Sequence, residues 1–289
     1  MDKDHVNHTP GTDFPWRFAD VTIDPALPGR PDFRLLPRLD DLQFLLVLEG
    51  SLELRTAASQ MQMRAGEAVF INRGTVHDLV PAGRCRYRSF TFPEHFLTFY
   101  EGSPAKAFVE RVTRAADIPF IHFTGHEPWH SRIVVRLEML AETERLSTEF
   151  HDYEILSGLT GLWLDMIRMT EVPAHSAGSG EGNERMGRML AFIDAHCAEE
   201  ITPENLATAA GVTEAECVKC FRRATGTTPG RYLTEFRLAK AAELLSETDM
   251  PVARVGEAVG IGSPSHFGRC FREKTGHTPR EWRQLFGRK

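Results

Sequence analysis

The 289-residue sequence predicts a two-domain α+β protein, with an N-terminal β-barrel carrying a helical hairpin and a C-terminal all-α domain. Three observations predict it. Short apolar runs separated by turn signals fill the segment from Phe33 to Phe92. Helical periodicity replaces them after Trp129. From Glu184 onward the chain reads as short helices, and a segment recurs there at a fixed offset.

Residues 1 to about 30 are rich in Pro, Asp and Gly and read as an irregular arm. The barrel strands follow. Phe44-Leu45-Leu46-Val47-Leu48 and Ala68-Val69-Phe70-Ile71 are the apolar runs; Glu49-Gly50, Ala65-Gly66, Arg73-Gly74 and Pro81-Ala82-Gly83 are the turns between runs. Many short strands at this spacing suggest a barrel or sandwich. Ile133, Leu137 and Leu140 then mark one apolar helical stripe, and Leu156, Leu159, Trp163, Met166 and Ile167 mark a second. His175-Ser176-Ala177-Gly178-Ser179-Gly180-Glu181-Gly182 has the composition of a flexible linker. The division expected is 1–172 for the barrel domain, 173–184 for the linker and 185–289 for the helical domain.

The repeat is the strongest signal. Phe221-Arg222-Arg223-Ala224-Thr225-Gly226-Thr227-Thr228-Pro229 recurs fifty positions later as Phe271-Arg272-Glu273-Lys274-Thr275-Gly276-His277-Thr278-Pro279. Each Gly can close a helix in the left-handed conformation. Each Thr-Pro can open the next, with Thr as N-cap and Pro at the first helical position. Upstream of the first copy, Thr202-Pro203 starts a helix to Ala210, Gly211-Val212 turns, and Thr213 caps a second helix, with Glu216 placed to complete a capping box. Upstream of the second, Pro251 opens a helix near Val252, Gly260-Ile261 turns, and Ser263-Pro264 starts the next helix. Helix, Gly-containing turn, helix is the helix-turn-helix pattern, met here twice.

At this point the sequence resembles the AraC/XylS-type transcription regulators. The resemblance covers residues 186 to 285 and rests on Ile201 to Leu206, Gly211, Phe221, Gly226, Pro229, Tyr232, Arg237, Ala241, Leu244-Leu245, Val255, Gly260, Phe267, Phe271, Gly276 and Thr278-Pro279. It implies two helix-turn-helix units bridged by one long helix, here about Pro229 to Ser246. Gly256 stands where the family usually has Ala, and Ile261 where it usually has an aromatic residue; both departures are expected to loosen packing.

Helical geometry sorts the two second helices without the family. Cys217 and Phe221, four apart, face the core, leaving Ala215, Val218, Lys219 and Arg222 outward. Phe267 and Phe271 do the same, leaving Ser265, Gly268, Arg269 and Arg272 outward with His266 at the side. In a major groove Arg269 can contact guanine bidentately and His266 can donate or accept, whereas Arg222, Arg223 and Arg272 suit phosphate. The plain alternative is a solvated helix face. Cys217 and Cys220 have the spacing of a zinc or redox pair, but no second pair stands near them and Cys217 occupies a core position.

In the barrel, Gly66, Asn72, Gly74 and His77 follow the second cupin motif, with Asn72 where Pro is usual, so the barrel is read as cupin-like. The first motif, which supplies two more histidines and a glutamate, is absent around Phe44 to Gly50. A lone His77 cannot hold a metal. It is expected either to be satisfied by barrel hydrogen bonds or to anchor an effector, together with Arg88, Phe44 and Phe90. Arg84, Arg86 and Arg88 alternate along one strand, with Phe90 and Phe92 continuing that face. An inward face implies an anionic effector; an outward one implies a solvated basic row.

Charge agrees with a division of labour. From Arg185 on there are 16 Lys+Arg against 13 Asp+Glu; before it there are 18 against 27. Only the basic half suits a polyanion. With no apolar run of ~18 residues, no secretory signal and five cysteines expected as free thiols, a cytoplasmic protein is expected. The family resemblance implies double-stranded DNA, a small-molecule effector, a second copy of the chain and RNA polymerase as partners, no cofactor or metal, and no enzymatic role. The competing reading is a cupin-type metalloenzyme, an oxygenase or isomerase, with a DNA-binding tail; it lacks the metal triad. A DNA-repair protein with the same repeat would need a reactive or zinc-bound cysteine cluster, and Cys85 stands alone in the first half.

Overall fold

The structure is a computed structural model that describes residues 5–6, 14–24, 41–56, 59–115, 118–124, 127, 129–169 and 180–287. The stretch read as an irregular arm at 1–30 is not irregular where it is described: His5–Val6 and Arg17–Ile23 are strands, the second because it pairs antiparallel along its whole length with Cys85–Thr91. The linker core at 173–179 lies outside the described residues. The chain divides into two compact units, with a boundary between Asn183 and Glu184.

Among the described residues the first unit contains two sheets. One is six-stranded, in the order β1 (His5–Val6), β2 (Arg17–Ile23), β8 (Cys85–Phe92), β3 (Leu42–Glu49), β6 (Ala68–Ile71), β9 (Phe120–Phe123). The other is three-stranded, in the order β5 (Gln60–Arg64), β4 (Ser51–Thr56), β7 (His77–Pro81). β3 explains why its sequence is an unbroken apolar run instead of an alternating one: it is covered on both faces, and Leu42 to Val47 are all buried. Leu42, Phe44 and Leu46 point toward a core that the hairpin helices α3 (His130–Leu146) and α4 (His151–Met169) also line. Leu45 and Val47 point the other way, between the sheets, against Leu52, Leu54, Met63, Val69, Ile71 and Cys85. Both helical stripes read from the sequence bury as expected: Ile133, Leu137, Leu140, Leu159, Trp163 and Met166 are in this core, with Leu156 and Ile167 packed against it.

Two short helices, α1 (His95–Thr98) and α2 (Ala105–Thr113), and strand β9 escaped the sequence reading. Asn72, where the cupin pattern has Pro, shows what holds α2 and the segment before β9. Its buried amide donates to the carbonyls of Val112 and Ile118, both at 2.9 Å, so it ties the end of α2 to the sheet. Proline has no side-chain donor for this.

Among the described residues the second unit has seven helices: α5 (Gly180–His196), α6 (Pro203–Ala210), α7 (Glu214–Thr225), α8 (Pro229–Glu247), α9 (Val252–Ala258), α10 (Pro264–Thr275) and α11 (Pro279–Phe286). α5 starts inside the span read as linker. Gly180, Gly182 and Asn183 are poor helix formers, but Met186, Met189, Leu190 and Ile193 beyond them bury at helical spacing and carry the helix.

Candidate nucleic-acid interface

The repeat holds down to single hydrogen bonds. Thr202, Thr213, Thr228, Ser263 and Thr278 each cap a helix with the side-chain oxygen, accepting from the backbone N–H three residues on. Gly226 and Gly276 close α7 and α10 with φ of 68° and 76°. Thr225 Oγ1 donates to Phe221 O at 2.8 Å and Thr275 Oγ1 to Phe271 O at 2.7 Å. Phe221 packs on Tyr232 at 5.6 Å and Phe271 on Trp282 at 5.7 Å, so the aromatic pairs repeat at the offset of the sequence. α8 packs against α7, α9 and α11, joining the two halves through one continuous helix.

Two details differ from the sequence reading. The capping box at Thr213 is half made: Glu216 N–H donates to Thr213 Oγ1 at 3.2 Å, while the Glu216 carboxylate lies 3.9 Å from Arg185. Complete boxes form instead at Thr202 with Asn205 and at Thr278 with Glu281. Gly256 and Ile261 do not loosen the second unit. Ile261 is buried in its core. A Cβ on Gly256 would stand 3.1 Å from Ile261 O and 3.2 Å from Phe267 Cδ1, so the absent methyl lets the turn and Phe267 close in.

Sorting by helical face holds for the core positions. Cys217, Phe221, Phe267 and Phe271 are buried. Ala215, Lys219 and Arg222 on α7, and Ser265, His266, Arg269 and Arg272 on α10, are exposed; Val218 and Gly268 are half-buried. A Cβ at Gly268 would meet nothing within 4 Å, so the α10 backbone is bare on that side. Arg269 Nη2 donates to His266 Nδ1 at 3.3 Å, which draws the guanidinium toward the start of α10. Glu214 has no part in the sequence expectations and Glu216 enters them only as a capping residue, yet both are exposed in the first turn of α7. The first turn of α10 holds no acid. Their signal was present in the sequence as carboxylates at the start of a helix, where they complement the helix dipole. Burial pushes the Cys217 thiol up to about 11, and its sulfur sits 3.7 Å from Met189 Sδ, so this cysteine behaves as a small core residue.

The four expected effector residues do not converge. Phe44 and Phe90 are register partners, and with Arg88 they lie on the sheet face turned away from the barrel interior. His77 is buried at the start of β7 in the other sheet. The cause is strand alternation: even-numbered positions of β3 and β8 face the helix side, and the space between the sheets is filled by the apolar side chains named above. The basic row is neither inward nor simply solvated. Arg84 lies before β8. Arg86 and Arg88 both donate to Asp20 on β2, at 2.8–3.0 Å, and despite its partial burial these bonds hold the Asp20 carboxyl below the usual range. Among the described residues no cluster of His, Cys, Asp and Glu could hold a metal ion, and no helix is long and apolar enough to cross a membrane.

Comparison with known proteins bears on both units. The AraC-like ligand binding domain family matches residues 37–118, and a helix-turn-helix domain family matches residues 206–285. The chain is similar to the uncharacterised HTH-type transcriptional regulator YdeC of Bacillus subtilis (strain 168), at 25% identity over 248 residues, 85% of this chain and 84% of that one. It is also similar to the HTH-type transcriptional activator RhaS of Enterobacter sp. (strain 638), at 28% identity over 166 residues; that alignment spans 55% of this chain and 59% of the relative. A solved AraC-type transcriptional regulator from Chromobacterium violaceum aligns at 29% identity with a TM-score of 0.34, covering 35% of this chain and 90% of that one. With a ligand-binding family at one end, a helix-turn-helix family at the other and regulators as relatives, the chain belongs to the AraC-type DNA-binding transcription regulators.

Proposed function

We propose that α7 and α10 each enter a major groove of double-stranded DNA and that α10 supplies most of the base discrimination. The observation that carries this is the asymmetry of two otherwise duplicated helices. α10 offers Ser265, His266 and Arg269 around the bare backbone of Gly268, with no carboxylate in its first turn. α7 offers Ala215, Val218 and Lys219 beside two exposed carboxylates. Small apolar groups suit thymine methyls; Arg269 suits guanine O6 and N7. Arg222 and Arg272, one turn further along, suit phosphate and set register.

Residues 185–289 are the DNA-binding domain in this reading, and 1–172 the effector-binding and dimerisation domain, separated by a linker within 173–184. The second partner is another copy of the chain. Val135, Met139, Leu146, Phe150 and Tyr153 on and between α3 and α4 are exposed, an apolar surface that the hairpin's own packing leaves uncovered. RNA polymerase is the partner through which DNA binding becomes transcriptional control. The protein acts by binding and not by catalysis, and it works in the cytoplasm, where its five free cysteines stay reduced. The test is a fragment from Glu184 to Lys289. It is expected to fold and to bind DNA with an affinity that falls steeply with salt. A folded fragment without salt-sensitive DNA binding overturns the proposal.

A further inference from the structure

A groove of about 290 Å³ lies between α2 and the end of α4, lined by Phe108, Arg111, Val112, Leu164, Ile167 and Arg168. Its floor belongs to the domain core: Val112 is buried in it and Ile167 packs against it. Its walls do not. Phe108 is 52% exposed and Leu164 38%, on helices that bury Val109, Val112 and Thr113 in one case and Leu162, Trp163 and Met166 in the other. Two guanidiniums stand at the rim, and Arg111 lies over the Phe108 ring at 5.6 Å.

The charge balance of this rim differs from that of its surroundings. Lys106 and Arg114 on α2 both pair with Glu110, and Arg136 on α3 pairs with Asp165 on α4. Among the described residues neither Arg111 nor Arg168 has a carboxylate partner, and no carboxylate lines the groove. Both arginines occupy the last turn of their helix, where a cation complements the carbonyl end. That accounts for a positive charge at each helix end. It does not account for the exposed apolar side chains that line the same groove.

We propose that this groove binds a compact amphipathic monocarboxylate, with the acid held by Arg111 and Arg168 and the apolar tail laid on Val112, Leu164, Ile167 and Phe108. A guanidinium fork matches a carboxylate in shape and charge. The tail covers the apolar walls, which an inorganic anion would leave in water, and an uncharged ligand of the same length leaves the two guanidiniums uncompensated. The volume is at the lower end for small-molecule sites, which favours an acid of the size of octanoate or phenylpropanoate. An occupant touches α2 and the last turn of α4 at once, so it stiffens the end of the element that leads toward α5. The site lies outside the space between the sheets, and its lining does not include His77, Phe44, Phe90 or Arg88.

The test uses the full chain with octanoate, octanol and inorganic phosphate as probes, read by calorimetric titration and thermal unfolding. Octanoate is expected to bind saturably at one site per chain and to raise Tm. Octanol should bind at least about ten-fold more weakly, because it makes no charge-assisted bond, and phosphate should not bind measurably. The surface pair Arg111→Gln with Arg168→Gln should lose octanoate binding by a similar factor, while its Tm without ligand falls only by the small amount that two lost helix-end charges account for. Leu164→Glu, which puts a carboxylate into the groove, should abolish it. Equal binding of octanol and octanoate, full octanoate binding by the double variant, or no saturable binding of octanoate or phenylpropanoate overturns the proposal. So does a double variant whose only change is a lower mass in light scattering, which makes the groove an interface between copies. DNA binding measured without acid on the same variant separates this proposal from the regulatory one: the groove substitutions should leave it intact.

Discussion

Gly260 and Gly276 make a controlled pair for asking what holds the second helix-turn-helix in place. Both sit in the left-handed region, at φ of 75° and 76°. They differ in what an added methyl would meet. At Gly276 nothing lies within 4 Å of a Cβ; at Gly260 a Cβ would stand 2.6 Å from Cys197 O and 2.9 Å from Ala198 O. Those are backbone atoms just past the end of α5, and they cannot rotate aside. They are also held from the other side, since Arg237 on α8 donates to Cys197 O at 2.7 Å and to Glu199 O. Gly276→Ala should therefore cost only the left-handed conformation, roughly 1–2 kcal/mol. Gly260→Ala should cost that plus a forced displacement of the α9–α10 turn from α5, like that of an overpacked core, for about 2–5 kcal/mol in all. The assay is urea unfolding of the fragment Glu184–Lys289, whose one tryptophan, Trp282, is buried in the second unit's core. Equal losses for the two variants would refute the reasoning, because they would mean that the Gly260 turn does not bear on α5.

Three further outcomes are expected. Arg269→Ala should cost ~1–3 kcal/mol of DNA binding and relax preference at one base position, while Arg272→Ala should weaken all sequences alike and lower the salt slope by about one; binding to single-base operator changes at two salt concentrations checks this, and equal, sequence-independent losses count against Arg269 as a base reader. His151 bridges Glu144 and Asp152, each at 2.9 Å, and Trp16 Nε1 donates to the same Glu144 oxygen. Burial opposes the imidazolium charge, but the bonds to Asp152 and Glu144 outweigh it and raise the His151 pKa. A raised folded-state pKa means stabilisation that is complete below the ordinary value of 6.5 and fades as pH rises through the folded value. The cost of His151→Gln, read by thermal unfolding, should thus shrink from low to high pH; a cost that grows with pH removes this account. Met139→Glu combined with Tyr153→Glu should halve the particle mass in light scattering at micromolar concentration, and a wild-type monomer with and without DNA refutes the dimer.

Local physics carried the helical unit. The caps at Thr202, Thr213, Ser263 and Thr278, the closing glycines and the four-residue spacing of Cys217 with Phe221 and Phe267 with Phe271 act within a few residues of themselves. Their meaning was therefore legible before any fold was known. The exceptions are instructive. Gly180, Gly182 and Asn183 read as linker because their own preferences are poor, and they are helical because Met186, Met189 and Ile193 further along bury. Glu216 has the residue type for a capping box and turns instead toward Arg185, thirty-one positions earlier.

The barrel shows the opposite dependence. The apolar run of β3 announced a strand but not its orientation, because a strand buried on both faces has no polar face to mark the outside. Only the packing of α3 and α4 on one side and β4 and β5 on the other decided that Phe44, Phe90 and Arg88 face away from the barrel interior. Asp20 reaches Arg86 and Arg88 from sixty-six and sixty-eight residues away, and Asn72 reaches Val112 and Ile118 from forty and forty-six. The sequence by itself determined the two-part organisation, the duplicated helix-turn-helix and the outward set of residues on α7 and α10. The tertiary structure alone decided where the basic row goes, what fills the space between the sheets, and that Arg111 and Arg168 line one groove. The physical reason is range: caps, turns and periodicity are settled between near neighbours, whereas the partner of a strand side chain is chosen by which distant segment the fold brings against it.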